Sequence, residues 1–215
     1  MLIVETFVFN PFSENTYIVY DDTSKEGCII DPGCYGKDEE NEIISFIKDN
    51  GINLKYLFNT HGHIDHILGN YFIKNRYNPK FYYPKEELYF LDLMIDEAAN
   101  YGVTLIKSPP PDEYFTEDLI LQIGGYKIQF ISTPGHSPDE YCIYFPEIDI
   151  CFTGDVLFEQ SIGRTDLWDG NYQSLFNSII NKLYILPDQT KIFPGHGRSS
   201  CITHEKQFNP YIAIK

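Results

Sequence analysis

Three of the six histidines in this 215-residue chain fall within six consecutive positions, His61 to His66, in the stretch T-H-G-H-I-D-H. Scattered histidines usually serve one hydrogen bond each. Crowded ones interleaved with a carboxylate gather nitrogen and oxygen lone pairs at one point, which is what a divalent cation requires. His61 and His63 lie two apart at the exit of an apolar run, so an extended backbone sends both rings to one side. Asp65 and His66 follow where the spacing of Ile67, Tyr71 and Phe72 predicts a helix beginning, and its first turn brings a second pair beside the first. Gly62 is expected to let the backbone pass close to an ion.

Three later segments repeat the chemistry at the end of an apolar run: T-P-G-H-S at 133–137, F-T-G-D-V at 152–156 and F-P-G-H-G at 193–197. They contribute His136, Asp155 and His196. Seven donors of nitrogen and oxygen type are too many for one tetrahedral ion and suit two. Imidazole-rich, cysteine-free ligation fits zinc, iron or manganese. Two ions roughly 3.5–4 Å apart need a bridging carboxylate and a bridging hydroxide, and Asp155 is the natural bridge. Such a hydroxide attacks a carbonyl with no serine or cysteine nucleophile; Asp65 is placed to orient it. Any one histidine in a turn is ordinarily a surface residue, so the case rests on five occurring in such contexts together. His204, in T-H-E-K, lies outside them and reads as a surface residue.

These donors must be carried by elements that converge. Strands are expected at Leu2 to Val8, Thr16 to Tyr20, Gly27 to Ile30, Lys55 to Phe58, Lys80 to Tyr83, Leu119 to Ile123, Tyr126 to Ile131, Glu140 to Phe145, Ile148 to Phe152 and Lys191 to Phe193. Helical spacing appears at Ile43, Ile44 and Ile47, stopping near Asn50-Gly51. It recurs over Glu86 to Asn100, and at Leu175, Phe176, Ile179, Ile180 and Leu183 before Pro187. Gly124-Gly125 predicts a tight hairpin. Many short strands with few helices imply sheets packed together under outer helices.

No linker of Ser/Gly-rich or Pro-rich composition divides the chain, so residues 1–215 are expected to form one domain. Hydrophobic residues make up 43% and charged residues 22%, enough apolar surface for a core. The formal net charge of −15 repels phosphodiester backbones and anionic membranes, so no nucleic-acid or membrane partner is expected. Glu5 and Pro11 interrupt the N-terminal apolar run before it reaches signal or membrane length. Five cysteines without a C-x-x-C fit neither a disulfide framework nor a thiolate zinc site and suit a cytoplasmic location.

T-H-G-H-I-D-H, followed in order by T-P-G-H-S, F-T-G-D-V and P-G-H-G, resembles the metallo-β-lactamase superfamily, and I-D-P-G at 30–33 is similar to that family's first motif. The resemblance implies an α+β fold, a four-layer αββα sandwich with metals at one edge. It implies His61, His63 and His136 on one ion, Asp65, His66 and His196 on a second, and Asp155 between them. Two zinc ions are the leading expectation. Asp31 would stand behind a ligand and orient it, or else simply shape the turn before Pro32-Gly33.

Within the superfamily, G-D-V-L-F-E-Q-S-I-G-R-T-D-L at 154–167 looks like glyoxalase II, the hydroxyacylglutathione hydrolases, in a short form without the C-terminal helical region that contacts glutathione. The implied activity is hydrolysis of a small thioester or ester. Arg164 either meets an anionic substrate carboxylate or pairs with Asp166; Tyr141 and Trp168 are read as packing. The rival reading is a persulfide dioxygenase, which shares the fold and a G-R-T-D segment but uses one iron, here matched by His61, His136 and Asp155. The complete second set of donors weighs against it. A lactonase and a non-catalytic binding module are weaker readings.

Overall fold

The computed structural model describes residues 1–213. The chain folds into two compact units, Met1–Tyr114 with Gln122–Tyr126, and Phe115–Leu121 with the residues from Lys127 onward. Each unit has its own sheet.

The first sheet runs β1 (Leu2–Phe9), β2 (Glu14–Asp21), β3 (Glu26–Ile30), β4 (Asn53–Phe58), β5 (Lys80–Tyr83), β6 (Glu113–Tyr114) in sequence order. β1, β2 and β3 pair antiparallel, which short turns allow; β3 to β6 pair parallel, which requires crossovers. Helices supply them: α1 (Gly36–Asn50) between β3 and β4, α2 (Ile64–Ile67) and α3 (Asn70–Tyr77) between β4 and β5, and α4 (Phe90–Ala98) before β6. α1 buries Ile43 and Ile47 and stops where Gly51 takes φ 67°, its N–H closing on the carbonyls of Ile47 and Lys48. The carboxyl ends of β3 and β4 lead into Asp31 and into the histidine loop.

The second sheet begins with β7 (Ile120–Ile123), β8 (Tyr126–Ser132), β9 (Tyr141–Phe145) and β10 (Ile150–Gly154). A small pair follows, β11 (Leu157–Phe158) with β12 (Ser161–Ile162). α5 (Tyr172–Ser178) then crosses to β13 (Lys191–Pro194), β14 (Ser200–Cys201) and α6 (Ile202–Phe208), giving the sheet order β14-β13-β10-β9-β8-β7. β10 and β13 are parallel, with a bulge between Phe152 and Gly154. Bulges re-aim the chain, and here the residue after the bulge is Asp155. Gly195 N–H donates to Gly154 O at 2.7 Å, so the two strand ends leave the sheet tied together.

Several elements differ from the sequence expectation for identifiable reasons. The strand expected from Ile148 starts at Ile150, because Asp149 takes φ 50° and its carbonyl accepts Lys191 N–H at 2.8 Å. The helix expected over Glu86 to Asn100 is broken into 3₁₀ turns at Lys85–Glu87 and Ala99–Tyr101 around α4. The helix through Leu183 becomes a π turn over Ile179–Leu183, where Tyr184 N–H reaches Ile179 O at 2.8 Å. The wider turn keeps both Ile179 and Leu183 in the core. β6, β11, β12 and β14 have two residues each, too short for any periodicity to announce them. No helix among the described residues is long and apolar enough to cross a membrane.

The core of the second unit joins Leu175, Ile179 and Leu183 to Cys142, Cys151, Ile192 and Ile202. Leu175→Ala removes buried methyl groups from it and should cost about 2–5 kcal/mol, read as a lowered urea midpoint with unchanged slope. An unchanged midpoint would show that this cluster does not carry the stability of the unit.

Candidate metal centre

In the first unit the chain leaves β4 at Phe58 and passes through Asn59 and Thr60 into the histidines. His63 is extended, with φ −68° and ψ 153°, and α2 starts after it. Asn59 Nδ2 donates to His66 O at 2.9 Å, clamping the far end of α2 to the strand exit. Asn70 Nδ2 donates to Asn59 Oδ1 at 2.8 Å and so holds the clamp. The rings of His61 and His63 then lie 4.6 Å apart, and those of His61 and His66 4.1 Å. The pairs His61/His63, His61/His66 and Asp65/His66 each offer ligand atoms within 4.8 Å of one another.

The I-D-P-G turn stands behind this cluster. Asp31 takes φ 47°, and its carboxylate accepts from Thr60 N–H at 2.7 Å and from the Thr60 hydroxyl at 2.7 Å. The Thr60 hydroxyl has one proton and gives it to Asp31, so Thr60 Oγ1, 3.0 Å from His61 Nδ1, accepts the His61 Nδ1 proton. The second Asp31 oxygen faces His66 Nδ1 at 3.1 Å. One carboxylate thus stands behind two rings, setting the His61 tautomer through Thr60 and lying beside His66 Nδ1. Glu14 is buried beside the same turn, and burial holds its carboxyl well above the usual carboxylate range.

In the second unit the donors sit on the ends of three strands. His136 follows β8 in a turn where Gly135 has φ 147° and a Cβ would lie 2.2 Å from Leu175 N, so only glycine lets α5 approach. His136 Nδ1 donates to Arg164 O at 2.8 Å; a carbonyl can only accept, so Nδ1 carries a proton and in the neutral ring the lone pair is on Nε2. Asp155 leaves β10, and its N–H donates to Glu140 Oε1 at 2.7 Å. His196 follows β13.

The spacing of the donors tests whether they suit an ion. Asp155 Oδ2 lies 3.5 Å from His136 Nε2 and 3.7 Å from His196 Nε2, and in the first unit Asp65 Oδ2 lies 3.7 Å from His66 Nε2. These gaps exceed an ordinary N–H···O bond. Two ligands at tetrahedral angles with bonds of roughly 2.0–2.2 Å stand about 3.4 Å apart, so the separations are those of co-ligands. The donor sets fit a metal site. Burial raises the thiols of Cys28, Cys34 and Cys142, which disfavours the thiolate form that a ligand or nucleophile needs.

Gly62 has a reason to be small beyond the one expected from sequence. A Cβ there would lie 2.0 Å from Tyr83 Oη and 2.9 Å from Phe90 Cβ, so what the backbone approaches closely is an aromatic wall. Gly163 is equally constrained, with a Cβ falling 1.9 Å from Asp155 O. Arg164 forms a bidentate pair with Asp166 at 2.7 and 2.8 Å. That guanidinium holds the Asp166 carboxyl down at about 2. His204 lies on α6, its Nε2 3.2 Å from Gln160 Nε2. Thr60, Glu87, Glu140 and the Arg164 carbonyl are the site elements that the sequence reading did not identify. Thr60 had a visible signal in its place directly before His61; the carbonyl had none.

Two outcomes follow. Thr60→Val removes the acceptor for His61 Nδ1 and should weaken metal affinity about 10–100-fold in chelator competition; unchanged affinity would remove Thr60 from the account. Asp166 has a depressed pKa, so its contribution to stability is complete above its ordinary value of 3.8 and is lost as pH falls through about 2. Arg164→Ala should move the Asp166 carboxyl titration, followed by NMR, up toward 3.8, and an unmoved midpoint would contradict the pairing.

The metallo-beta-lactamase superfamily profile matches residues 9–196. A hydroxyacylglutathione hydrolase, GloC of Haemophilus influenzae, is 34% identical over 214 residues, covering 99% of each chain. The crystal structure of BLEG-1 B3 metallo-beta-lactamase superposes with a TM-score of 0.89 at 31% identity, over 98% of this chain and 99% of that one. That of TTHA1623 in a di-iron-bound form superposes with a TM-score of 0.85 at 28% identity, over 97% and 100%. With a histidine cluster that fits a metal site and an α+β fold shared along its whole length with these proteins, the chain belongs to the metallo-beta-lactamase superfamily.

Proposed function

We propose that His61, His63, Asp65, His66, His136, Asp155 and His196 together hold two divalent ions, zinc in the first instance, and that the chain hydrolyses a small thioester or ester in the manner of glyoxalase II. Both units would then act as one domain. The observation that carries the reading is the co-ligand spacing around Asp155, whose Oδ2 stands 3.5 and 3.7 Å from two histidine nitrogens. A carboxylate in that position serves more than one neighbour, which is what a bridging residue must do. The thioester class is favoured by the likeness to the Haemophilus influenzae hydrolase, which runs end to end over 99% of each chain. A small substrate also suits a formal net charge of −15, which repels polyanions.

When bound, paired divalent ions make a nucleophile of water near neutral pH and polarise the carbonyl under attack. The residues of the chain supply the order around that chemistry. Asp31, through Thr60, keeps His61 in one tautomer, and it faces His66 Nδ1 directly. The Arg164 carbonyl sets the tautomer of His136. Asp65 would accept a hydrogen bond from a water held at the site and so orient its lone pair. The G-R-T-D segment packs Gly163 against the Asp155 carbonyl and fixes the bridge from behind.

Elemental analysis of the purified protein, run with a panel of thioesters, lactones and persulfides, tests this reading. Two ions per chain are expected, with thioester cleavage and no oxygen uptake; Asp155→Ala should lose both metal and turnover. One iron per chain with oxygen consumption would overturn it in favour of persulfide oxidation, and so would a metal-free Asp155→Ala protein that still cleaves a thioester.

A further inference from the structure

We infer that Glu87 and Glu140, neither of them among the proposed ligands, are positioning residues that set how tightly the metal is held. The inference rests on the ligand set proposed above. Both side chains are completely buried. Glu87 Oε2 accepts the N–H of Gly62, the residue between His61 and His63, at 2.6 Å. Glu140 Oε1 accepts the N–H of Asp155 at 2.7 Å. The same device therefore occurs once in each unit, each time on the backbone of a turn that carries donors.

Each glutamate is itself anchored. Tyr83 Oη donates to Glu87 O at 3.2 Å. Thr133 donates to Glu140 O from its N–H at 2.7 Å and from its hydroxyl at 3.3 Å. A carboxylate whose main chain is held and whose side chain reaches an amide acts as a strut of fixed length. For Gly62 the strut pulls against a wall, since a Cβ on that residue would strike Tyr83 Oη at 2.0 Å and Phe90 Cβ at 2.9 Å. Pinning the Gly62 amide fixes the angle between the flanking histidines, and pinning the Asp155 amide fixes the carboxylate that follows Gly154, which itself has φ 48°. Burying a carboxylate is costly, and a turn amide needs only some acceptor. What these side chains provide to the Gly62 and Asp155 amides beyond an acceptor is length and direction.

Length and charge can be separated by two small substitutions at each position. Glu→Gln keeps an acceptor oxygen at the same reach and removes the charge; Glu→Asp keeps the charge and withdraws the acceptor by one methylene. Zinc dissociation constants are measured by competition with a chromophoric chelator, on protein whose circular dichroism shows it folded at the working temperature. Glu87→Asp and Glu140→Asp should bind zinc at least about tenfold more weakly than the matching Gln variants, the range seen when residues behind a metal ligand are altered. Asp variants that bind as tightly as the unaltered protein, or Gln variants as weak as the Asp variants, would overturn the inference. A purely structural role would lower the melting temperature of the metal-free protein and leave the dissociation constant of the folded fraction unmoved. Failure of the unaltered chain to bind zinc would instead bring down the ligand set, and is read directly in the same titration.

Discussion

An imidazole can give a lone pair to a cation at one nitrogen only while the other nitrogen keeps its proton, and much of the structure serves that constraint. Thr60 accepts a hydrogen bond from His61 Nδ1–H, the Arg164 carbonyl accepts one from His136 Nδ1–H, and Asp31 faces His66 Nδ1. Each of these oxygens is itself fixed by main-chain geometry. Asp31 is aimed by a left-handed backbone at the end of β3; Thr60 is held by its own N–H to Asp31. The parallel strand ends, the crossover helices and the close-packed glycines are the means by which three small oxygens are put where three rings need them.

The same arrangement has an energetic consequence. Asp31, Glu14, Glu87, Glu140 and Asp155 are all buried, and buried carboxylates destabilise a fold unless they are hydrogen-bonded, neutralised or matched by a cation. Backbone and hydroxyl donors satisfy Asp31, and amides are delivered to Glu87 and Glu140. Burial leaves Glu14 favouring its neutral form. Asp155, with two histidine nitrogens at co-ligand distance, would on the proposed ligand set be matched by a bound cation. A cation that binds only the folded chain would stabilise it by mass action, so retention of metal and retention of structure are linked.

The candidate donors were legible in the sequence because metal chemistry admits few residue types, and H-x-H-x-D-H concentrates them. The larger strands were legible too, since β2 and β9 are continuous buried runs and α1 ends at a glycine. What stayed hidden has a common physical character. The Arg164 carbonyl is a backbone group that any residue would carry, so its place behind His136 leaves no mark in the sequence. Gly62 was visible as a small residue, but the neighbour that requires its smallness, Tyr83, is 21 positions away and is brought close only by the fold. Glu87 sits in a segment whose apolar spacing predicts an unbroken helix, and Glu140 opens an apolar strand. Neither stands out in the sequence, because the amides they accept from, those of Gly62 and Asp155, are 25 and 15 residues distant.

The central claim is that these side chains grip a pair of cations sharing the Asp155 carboxylate. Diffraction from zinc-loaded crystals, recorded on either side of the zinc absorption edge, addresses it most directly. Two anomalous peaks per chain are expected, one on each side of the Asp155 carboxylate, with Nε2 of His61 and of His136 among their nitrogen ligands. A single peak, or density in which His61, His136 and Asp155 turn away from one another with no ion among them, would contradict it.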